Sequence, residues 1–452
     1  MSTLNRVGDD TSRLGWAVPI VVTLGFAYVL FLPVSNNRVL YGTFALLGAI
    51  AAVALWVTRA RVAVEAWVLA ALLVVLTVYG LTRDTSNPGL IYTLLVYVLA
   101  PALYFLCSAV ASPRALRLFL WAAAIVAIVG SLMLLAFIGG ESGRIPQVFP
   151  QPIVDLMGYG ATFRDGGSQA RSYGLSSMAA IGPLWTAAIF VGKHPLLPPL
   201  PVRIAAAVLA AAASYFANRS AIVLVIGLAP VLAVAVWLII RPRGTRIVLG
   251  ARALGTALVT AAAVTVGLAL TSPRIEALAP LVSLGRGVLS FIGVPTDVGK
   301  DESIRVDEQV RVISAWAANP LFGAGFGARI PDYGRTSERP WVLELQYHVL
   351  LFQVGLVGIA IILAMVMVSI VLLRRAAAAD PAYVPVLVVA GTAAAAMLIA
   401  NGTNPYLQAP GHMWAVFLPL AVANLMLRRS GGEWKNRSPL RRRIATDDRP
   451  AE

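Results

Sequence analysis

Apolar runs of about 20 residues recur along the whole chain, and they constrain its fold more than any other feature. Each run is long enough to cross the hydrocarbon core of a bilayer as an α-helix. The 452 residues are 59% hydrophobic and 13% charged, whereas soluble proteins average about 25% charged residues. We therefore predict an all-α, polytopic membrane protein with a single membrane domain over residues 1–452. The twelve predicted spans are 15–34, 39–57, 63–82, 89–110, 114–139, 175–192, 201–217, 220–240, 251–270, 343–373, 383–400 and 407–427.

The first run is predicted to be a retained span, because it is too long for the apolar core of a signal peptide and eleven more runs follow. The only cysteine, Cys107, lies in the fourth run. A disulfide framework and a cysteine-based metal cluster are therefore excluded.

The positive charge of the chain is unevenly placed. With a cytoplasmic N-terminus and twelve spans, most of the 36 lysines and arginines fall on the cytoplasmic side, whereas fewer than half of the 21 acidic residues do. This is the bias that orients membrane proteins, so the net charge of +15 predicts an orientation rather than a nucleic-acid partner. Both termini are then cytoplasmic. The basic tail, residues 428–452, is interpreted as an anchor near anionic lipid, with a partner-binding tail as the alternative.

Two predicted outer segments, residues 140–174 and 271–342, are too long to be simple turns. Loops of this length are usually functional or disordered. The second contains the apolar stretch EALAPLVSLGRGVLSFIGV, which is predicted to lie in the outer interface as an amphipathic helix. A thirteenth span is the alternative, and it would invert the charge pattern downstream.

The most glycine-rich motif is GAGFG, with Gly323, Gly325 and Gly327. A dinucleotide fingerprint needs a strand before it and a helix after it. Here the preceding segment is predicted to be a helix, with Val306, Val310, Ile313 and Ala317 at helical spacing, and Asn319-Pro320 marks its end. We therefore predict that the glycines provide positive φ angles and close backbone approach, not a nucleotide site.

Several arginines lie close to the predicted outer membrane face. Arg219 sits in a very short turn between the seventh and eighth spans, where a charge is costly and indicates function; a snorkelling helix-end arginine is the alternative. Arg171 precedes the sixth span, and Arg305 and Arg311 share the predicted helix, where an ion pair with Asp307 or Glu308 is the simpler interpretation. Guanidinium groups bind phosphate oxygens in bidentate fashion. Together they predict an anion site for a membrane-embedded substrate such as a polyprenyl-linked sugar.

One carboxylate enters the tenth span. Glu344 is followed by Tyr347 and His348, and the spacing predicts that the three share one helix face. A carboxylate in this position can serve as a general base, or it can simply face the positive end of the helix dipole. In the turn between the last two spans, Asn404 and its neighbours Asn401 and Tyr406 could line a sugar site or form an ordinary Asn-Pro turn.

These motifs resemble those of the superfamily of O-antigen ligases and Wzy-type polymerases, best over residues 171–358. The similar features are the outer-turn arginine of NRSAIVL, the Arg-Gly step of RSYG, the pairing of RVISAW with NPLFGAGFG, and a helix running into GLVG. The family's usual histidine, eleven residues before the first glycine of the last motif, is here Glu344. His348 lies one helical turn later.

The resemblance implies a GT-C-type membrane fold with a large periplasmic loop region, without a nucleotide or a required metal. It implies a donor glycan on undecaprenyl pyrophosphate, moved with inversion to an acceptor hydroxyl on the periplasmic side of the bacterial inner membrane. A chain-length regulator and a flippase are the candidate protein partners. The predicted catalytic residues are Glu344, Arg219 and Arg311, and the predicted substrate-binding residues are Arg171, Arg305, Asn319, Tyr347, His348 and Asn404.

Polymerase and ligase activities both fit, and the departure at Glu344 favours polymerase slightly. A transporter or flippase of lipid-linked oligosaccharides is the alternative from another class. It would predict paired charges within several spans and internal repeats, and the sequence has neither.

Overall fold

The computed structural model describes residues 13–34, 38–164, 167–241, 300–334 and 336–437. The described part is built almost entirely of helices. They are α1 (Arg13–Phe31), α2 (Arg38–Thr58), α3 (Val64–Arg83), α4 (Leu90–Leu94), α5 (Ala100–Ala109), α6 (Pro113–Glu141), α7 (Gln151–Met157), α8 (Met178–Ile189), α9 (Leu200–Phe216), α10 (Ser220–Ile240), α11 (Lys300–Ala317), α12 (Gln346–Ala379), α13 (Val384–Asn401) and α14 (Trp414–Arg437). A π-helical turn, Leu95–Leu99, joins α4 to α5, and short 3₁₀ turns cover Gly174–Ser177, Pro381–Tyr383, Tyr406–Gln408 and Pro410–His412.

The apolar runs form helices as predicted. In the described part, eight helical stretches are long and apolar enough to cross a membrane, and three shorter apolar helices cover Val18–Phe31, Gly174–Ile189 and Leu200–Phe216. The predicted ninth span, 251–270, and the predicted interfacial helix in EALAPLVSLGRGVLSFIGV lie outside the described residues, as does most of the basic tail. The described helices are those of a multi-pass membrane protein.

The first long loop has more structure than the sequence indicates. After α6 ends at Glu141, the chain forms α7 and then an antiparallel hairpin of β1 (Gly160–Arg164) and β2 (Gly167–Arg171), in which Gly160 is opposite Arg171. The all-α prediction therefore needs this one correction. Hairpins depend on turn chemistry and cross-strand pairs, which apolar runs do not reveal.

The core lies where α13 packs against α8, α10 and α14, with α6 against α1 and α9, and α12 against α3 and α14. Most side chains of α8 are buried, and Trp185 and Trp414 are the largest fully buried side chains. At the start of α6, the Ser112 hydroxyl accepts a hydrogen bond from the Ala115 amide at 3.1 Å, which caps the helix.

Arginines predicted to be cytoplasmic gather at one end of the bundle, which we call the basic end. There Arg375 pairs with Glu65 at 2.9 Å, and Arg429 pairs with Asp380 at 3.3 Å. Arg428 donates hydrogen bonds to the carbonyls of Ala109 and Ala111. The segments predicted to be on the outer face meet at the other end, called the site end.

Candidate functional site

The GAGFG loop fills a break in helix α12 at the site end. Gly355 interrupts α12 with φ 61° and ψ −172°, a conformation that is essentially restricted to glycine. Beyond the break, the amides of Leu356 and Val357 donate to the carbonyls of Pro320 and Leu321, each at 3.0 Å. Before it, the carbonyls of Phe352 and Gln353 accept from the amides of Ala324 and Gly325, each at 2.9 Å. Two helical hydrogen bonds are thus replaced by four bonds to the loop.

The same loop also packs on the turn between α3 and α4. The Gly89 amide donates to the Gly327 carbonyl at 3.0 Å, and the Asn87 side chain donates to the Ala324 carbonyl at 3.1 Å. Tyr79 donates to the Phe322 carbonyl at 2.8 Å. A Cβ atom on Gly327 would lie 2.1 Å from the carbonyl carbon of Gly89, so this contact needs glycine.

The predicted role of the three glycines is confirmed. Gly323, Gly325 and Gly327 have φ angles of 70°, 94° and 72°, and all three are buried against protein backbone. The Gly323 amide donates to the Asn319 carbonyl at 2.9 Å. The amides of Gly323 and Gly325 thus bind carbonyls of the chain itself, which leaves neither directed at a phosphate.

Helix α11 forms as predicted, but the predicted apolar face is not the packed face. Val306 and Val310 are exposed, whereas Val312 and the carboxylate-bearing Glu308 are fully buried. The packed face is mixed: Glu308 binds the segment that leads into α12, and Val312 packs in an apolar cluster with Leu343 of the same segment. The spacing of the apolar residues therefore predicted that a helix forms here, but it did not predict which face of the helix packs against the protein.

Two side chains of α11 hold that segment. Arg305 Nε donates to Glu344 Oε2 at 2.9 Å, with 40% and 28% of the two side chains exposed. The Leu345 amide donates to Glu308 Oε1 at 2.7 Å. The ring of His348 is half-buried, and the carboxylate of Glu308 interacts with it electrostatically. Sequence reasoning treated Glu308 only as a candidate ion-pair partner and missed this buried position.

The predicted shared helix face of Glu344, Tyr347 and His348 is wrong, because α12 begins at Gln346. Glu344 instead lies in the irregular segment before the helix, where its carbonyl accepts from the Gln346 amide at 2.9 Å. Tyr347 points toward α13, and its hydroxyl donates to the Leu398 carbonyl at 2.5 Å. Tyr347 thus links α12 to α13, whereas Glu344 lies outside α12.

The charges of Arg219 and Arg305 both act on the hydroxyl of Tyr406. Arg219 occupies the N-cap position of α10 and is partly buried. Burial raises the pKa of Tyr406 to about 12, and the charges of Arg219 and Arg305 both oppose that rise. The Tyr406 hydroxyl therefore stays protonated as a hydrogen-bond donor, and it lies within the electrostatic influence of both arginines.

The remaining predicted residues occupy more peripheral places. Arg311 pairs with Asp307 one turn earlier, at 2.9 Å, and its guanidinium lies 5.0 Å from the centre of the Tyr333 ring. Arg171 ends strand β2 and is exposed, and Asn319 is exposed in the turn after α11. Asn404 is half-buried, and its carbonyl accepts from the Tyr406 amide at 2.7 Å. Of the two interpretations predicted for Arg311, the structure shows the simpler one, an ion pair with Asp307.

A buried glutamine pair next to Glu344 was missed by sequence reasoning. Gln408 donates to Gln346 Oε1 at 2.5 Å and to the Leu343 carbonyl at 3.1 Å. Gln346 also donates to the Tyr97 hydroxyl. These contacts join residues far apart in the chain, so no local pattern could have found them. They tie the segment that carries Glu344 to the turn that carries Tyr406.

Two further observations bear on the chemistry. Among the described residues, no group of three or more histidine, cysteine, aspartate or glutamate side chains is arranged to hold a metal ion. His412 is fully buried, with its ring nitrogens 2.7 Å from the Tyr406 carbonyl and 2.9 Å from the Ser176 hydroxyl. It therefore fixes the Tyr406 turn against the segment before α8.

The site thus combines two guanidinium groups, a protonated tyrosine and one accessible carboxylate at one end of the helical bundle. Such a set can bind an anion and accept a proton. No protein-family model matches this chain, and no curated protein matches it.

Proposed function

We propose that this chain is a membrane-embedded glycosyltransferase that uses a glycan linked to undecaprenyl pyrophosphate. The glycan would pass to an acceptor sugar hydroxyl, which polymerises or ligates O-antigen or exopolysaccharide units. The observation that carries the proposal is the contact of Arg305 with the accessible carboxylate of Glu344 at the site end, where the charges of Arg219 and Arg305 also act on Tyr406. It would join an anion site and a proton acceptor where a lipid-linked substrate could reach them.

Arg219 and Arg305 are the proposed pyrophosphate ligands. Guanidinium groups carry a permanent charge and match phosphate oxygens in bidentate fashion. They would hold the donor and stabilise the negative charge that develops as undecaprenyl pyrophosphate leaves. Arg311 and Arg171 would extend this positive surface, with Arg311 first exchanging its partner Asp307 for the substrate.

Glu344 is the proposed general base. The acceptor oxygen would attack the anomeric carbon, the bond from that carbon to the phosphate oxygen would break, and Glu344 would take the acceptor's proton. Because Glu344 pairs with Arg305 at 2.9 Å, we propose that the donor binds before the acceptor is deprotonated. When the pyrophosphate engages Arg305, the carboxylate loses its partner and becomes available to the acceptor hydroxyl.

The motif resemblance supports the same proposal. The glycines of NPLFGAGFG and of GLVG meet in one contact between the loop and the break of α12. Because the two motifs contact each other in the folded protein, each one needs the glycines of the other. The contact also positions α11, which carries Arg305, and the start of α12, which directly follows Glu344.

The remaining parts of the proposal follow from charge bias and resemblance. The protein would lie in the bacterial inner membrane with a GT-C-type fold and twelve spans. Both termini would be cytoplasmic, and the site end would face the periplasm. Asn319, Tyr347, His348 and Asn404 would contact the sugars, and a chain-length regulator and a flippase would act alongside.

One observation favours a transporter as the second candidate. Broken membrane helices such as α12 often expose backbone groups that bind substrate or ions in transporters. Here, however, the loop takes up the backbone groups at the break: the carbonyls of Phe352 and Gln353, and the amides of Leu356 and Val357. A break filled in this way supports a structural role and leaves the glycosyltransferase as the better proposal.

The test is reconstitution of the purified protein in vesicles with a donor glycan on undecaprenyl pyrophosphate. Growth of the lipid-linked glycan would identify a polymerase, and transfer to a different supplied acceptor would identify a ligase. Movement of intact donor across the bilayer without a new glycosidic bond would contradict the proposal and support the transporter. Vesicles with the Glu344→Gln variant provide the matched control.

A further inference from the structure

A cavity of about 170 Å³ lies between α1 and α2 on one side and α5, α6 and α14 on the other. Its walls are almost entirely apolar. Five aromatic rings in contact with one another form its inner part: Phe26, Tyr104, Phe119, Trp414 and Phe417. Protein interiors rarely leave a space of this size unfilled, so the cavity is expected to have an occupant.

Two polar side-chain atoms in the inner part of the cavity are not hydrogen-bonded by the described helices. The Tyr104 hydroxyl and the Trp414 indole nitrogen have no hydrogen-bond partner within the described part of the chain, although both side chains are only 2% exposed. Buried polar groups without partners are uncommon in native structures. Both residues line the cavity, and it is their apolar rings that an occupant would meet there.

The opposite end of the cavity reaches the basic end of the bundle. Ala111, Ser112 and Ala115 line it at the turn between α5 and α6. Arg114 and Arg117 lie in the first turns of α6, and Arg428 binds the carbonyl of Ala111. Arginines at a membrane interface attract anionic lipid headgroups.

The cavity is reached from the bilayer. Val18 of α1 lines the cavity and is 45% exposed on the apolar outer surface of the bundle. An occupant that enters beside α1 is therefore a component of the membrane rather than a soluble ligand.

We infer that the cavity binds one acyl chain of an anionic phospholipid, with the headgroup held by the arginines at the start of α6. The chain would extend from Ser112 at the basic end to the aromatic rings around Trp414. The site is separate from the Arg305–Glu344 cluster, and the inference does not depend on the proposed glycosyltransferase activity.

The test uses the fluorescence of Trp414 and phosphatidylglycerol with brominated acyl chains, because bromine quenches tryptophan only near contact. The full chain is placed in phosphatidylcholine vesicles that contain the brominated lipid. The contribution of Trp414 is the difference between the wild type and Trp414→Phe. We expect this contribution to be quenched, and more strongly than by brominated phosphatidylcholine at the same bromine content.

Matched substitutions then locate the quenching. Ala51→Leu and Ala115→Leu fill the cavity from opposite walls, and either one should abolish the preference for phosphatidylglycerol. Ala52→Leu makes the same change at the neighbouring exposed position of α2 and should leave it intact. Using two filling variants keeps the test valid if one fails to fold.

Three results would overturn the inference. They are equal quenching by the two brominated lipids, quenching that survives both filling substitutions, and relief of quenching by added undecaprenyl phosphate but not by unlabelled phosphatidylglycerol. The last would assign the cavity to an isoprenyl chain.

Discussion

Glu344 is the residue on which the proposed chemistry depends most. It lies outside α12 and is paired with Arg305, and the adjacent amide of Leu345 is bound by the buried Glu308. The backbone around Glu344 is therefore fixed, while its carboxylate is 28% exposed. A fixed backbone with an accessible side chain is what a general base requires.

The substitution Glu344→Gln should lower the rate of glycan transfer by about 10²–10⁴-fold, the usual contribution of general acid–base catalysis. Donor binding should be retained, because glutamine keeps the shape of the side chain. The measurement is the initial rate in reconstituted vesicles. Glu338→Gln, at an exposed position of the same segment, is the control and should be near normal. Normal turnover in Glu344→Gln would rule out the base assignment.

Arg219→Gln should weaken donor binding by about tenfold or more, since hydrogen bonds to charged groups contribute about 1.5–3 kcal/mol. Arg311→Gln should have a smaller effect, because Arg311 already pairs with Asp307. Binding of a lipid-pyrophosphate analogue to purified protein measures both. Arg144→Gln, at an exposed arginine of the first long loop, is the control. Undiminished binding in Arg219→Gln would refute the anion-site assignment.

At the scale of elements, the contact between the glycine loop and the break of α12 determines the geometry of the site end. Backbone hydrogen bonds link residues 320–325 to residues 352–357 on both sides of Gly355. Because an unpaired backbone group in a membrane is costly, loop and helix break are expected to form together. The loop then places α11, with Arg305 and Glu308, against the start of α12.

The substitution Gly355→Ala should destabilise the protein by about 1–3 kcal/mol through backbone strain. The new Cβ would also lie 2.5 Å from the Gly323 amide nitrogen and from the Leu321 carbonyl oxygen. Unfolding of the purified protein in denaturant measures the loss. Gly227→Ala, within α10 where a Cβ would meet nothing within 4 Å, should be neutral or stabilising. Equal stability of the two variants would contradict the account of the break.

The sequence predicted some of these elements well and others poorly, for physical reasons. The bilayer requires long apolar helices, so their positions could be read from composition, and positive φ angles at Gly323 and Gly327 followed from glycine itself. The packed face of α11 could not be predicted, because it combines the apolar Val312 with the charged Arg305 and Glu308 and so does not follow the spacing of the apolar residues. The Gln346–Gln408 pair depends on tertiary packing alone.

At the scale of the whole molecule, the described contacts divide the polar residues between two ends. Arg375, Asp380 and Arg429 form ion pairs at the basic end, whereas Arg305 and Glu344 pair at the site end. The division agrees with the charge bias from which the orientation of the spans is predicted. It also separates the proposed lipid cavity, which reaches the basic end, from the proposed catalytic cluster.

The orientation can be tested by cysteine labelling in intact cells, after Cys107 is replaced by serine. A cysteine at Glu338 should react with a reagent that cannot cross the inner membrane. A cysteine at Lys193 should react only after the cells are opened. The reverse pattern would place the site end in the cytoplasm and would contradict the proposed use of an outward-facing donor.

The central claim is that this chain forms a glycosidic bond at the expense of a lipid pyrophosphate. The most direct measurement is the release of undecaprenyl pyrophosphate by purified protein in vesicles, counted together with new glycosidic bonds. The account predicts that the two products appear in equal amounts with the wild type and are nearly absent with Glu344→Gln. Donor that remains intact with well-folded wild-type protein and a range of acceptors would contradict it.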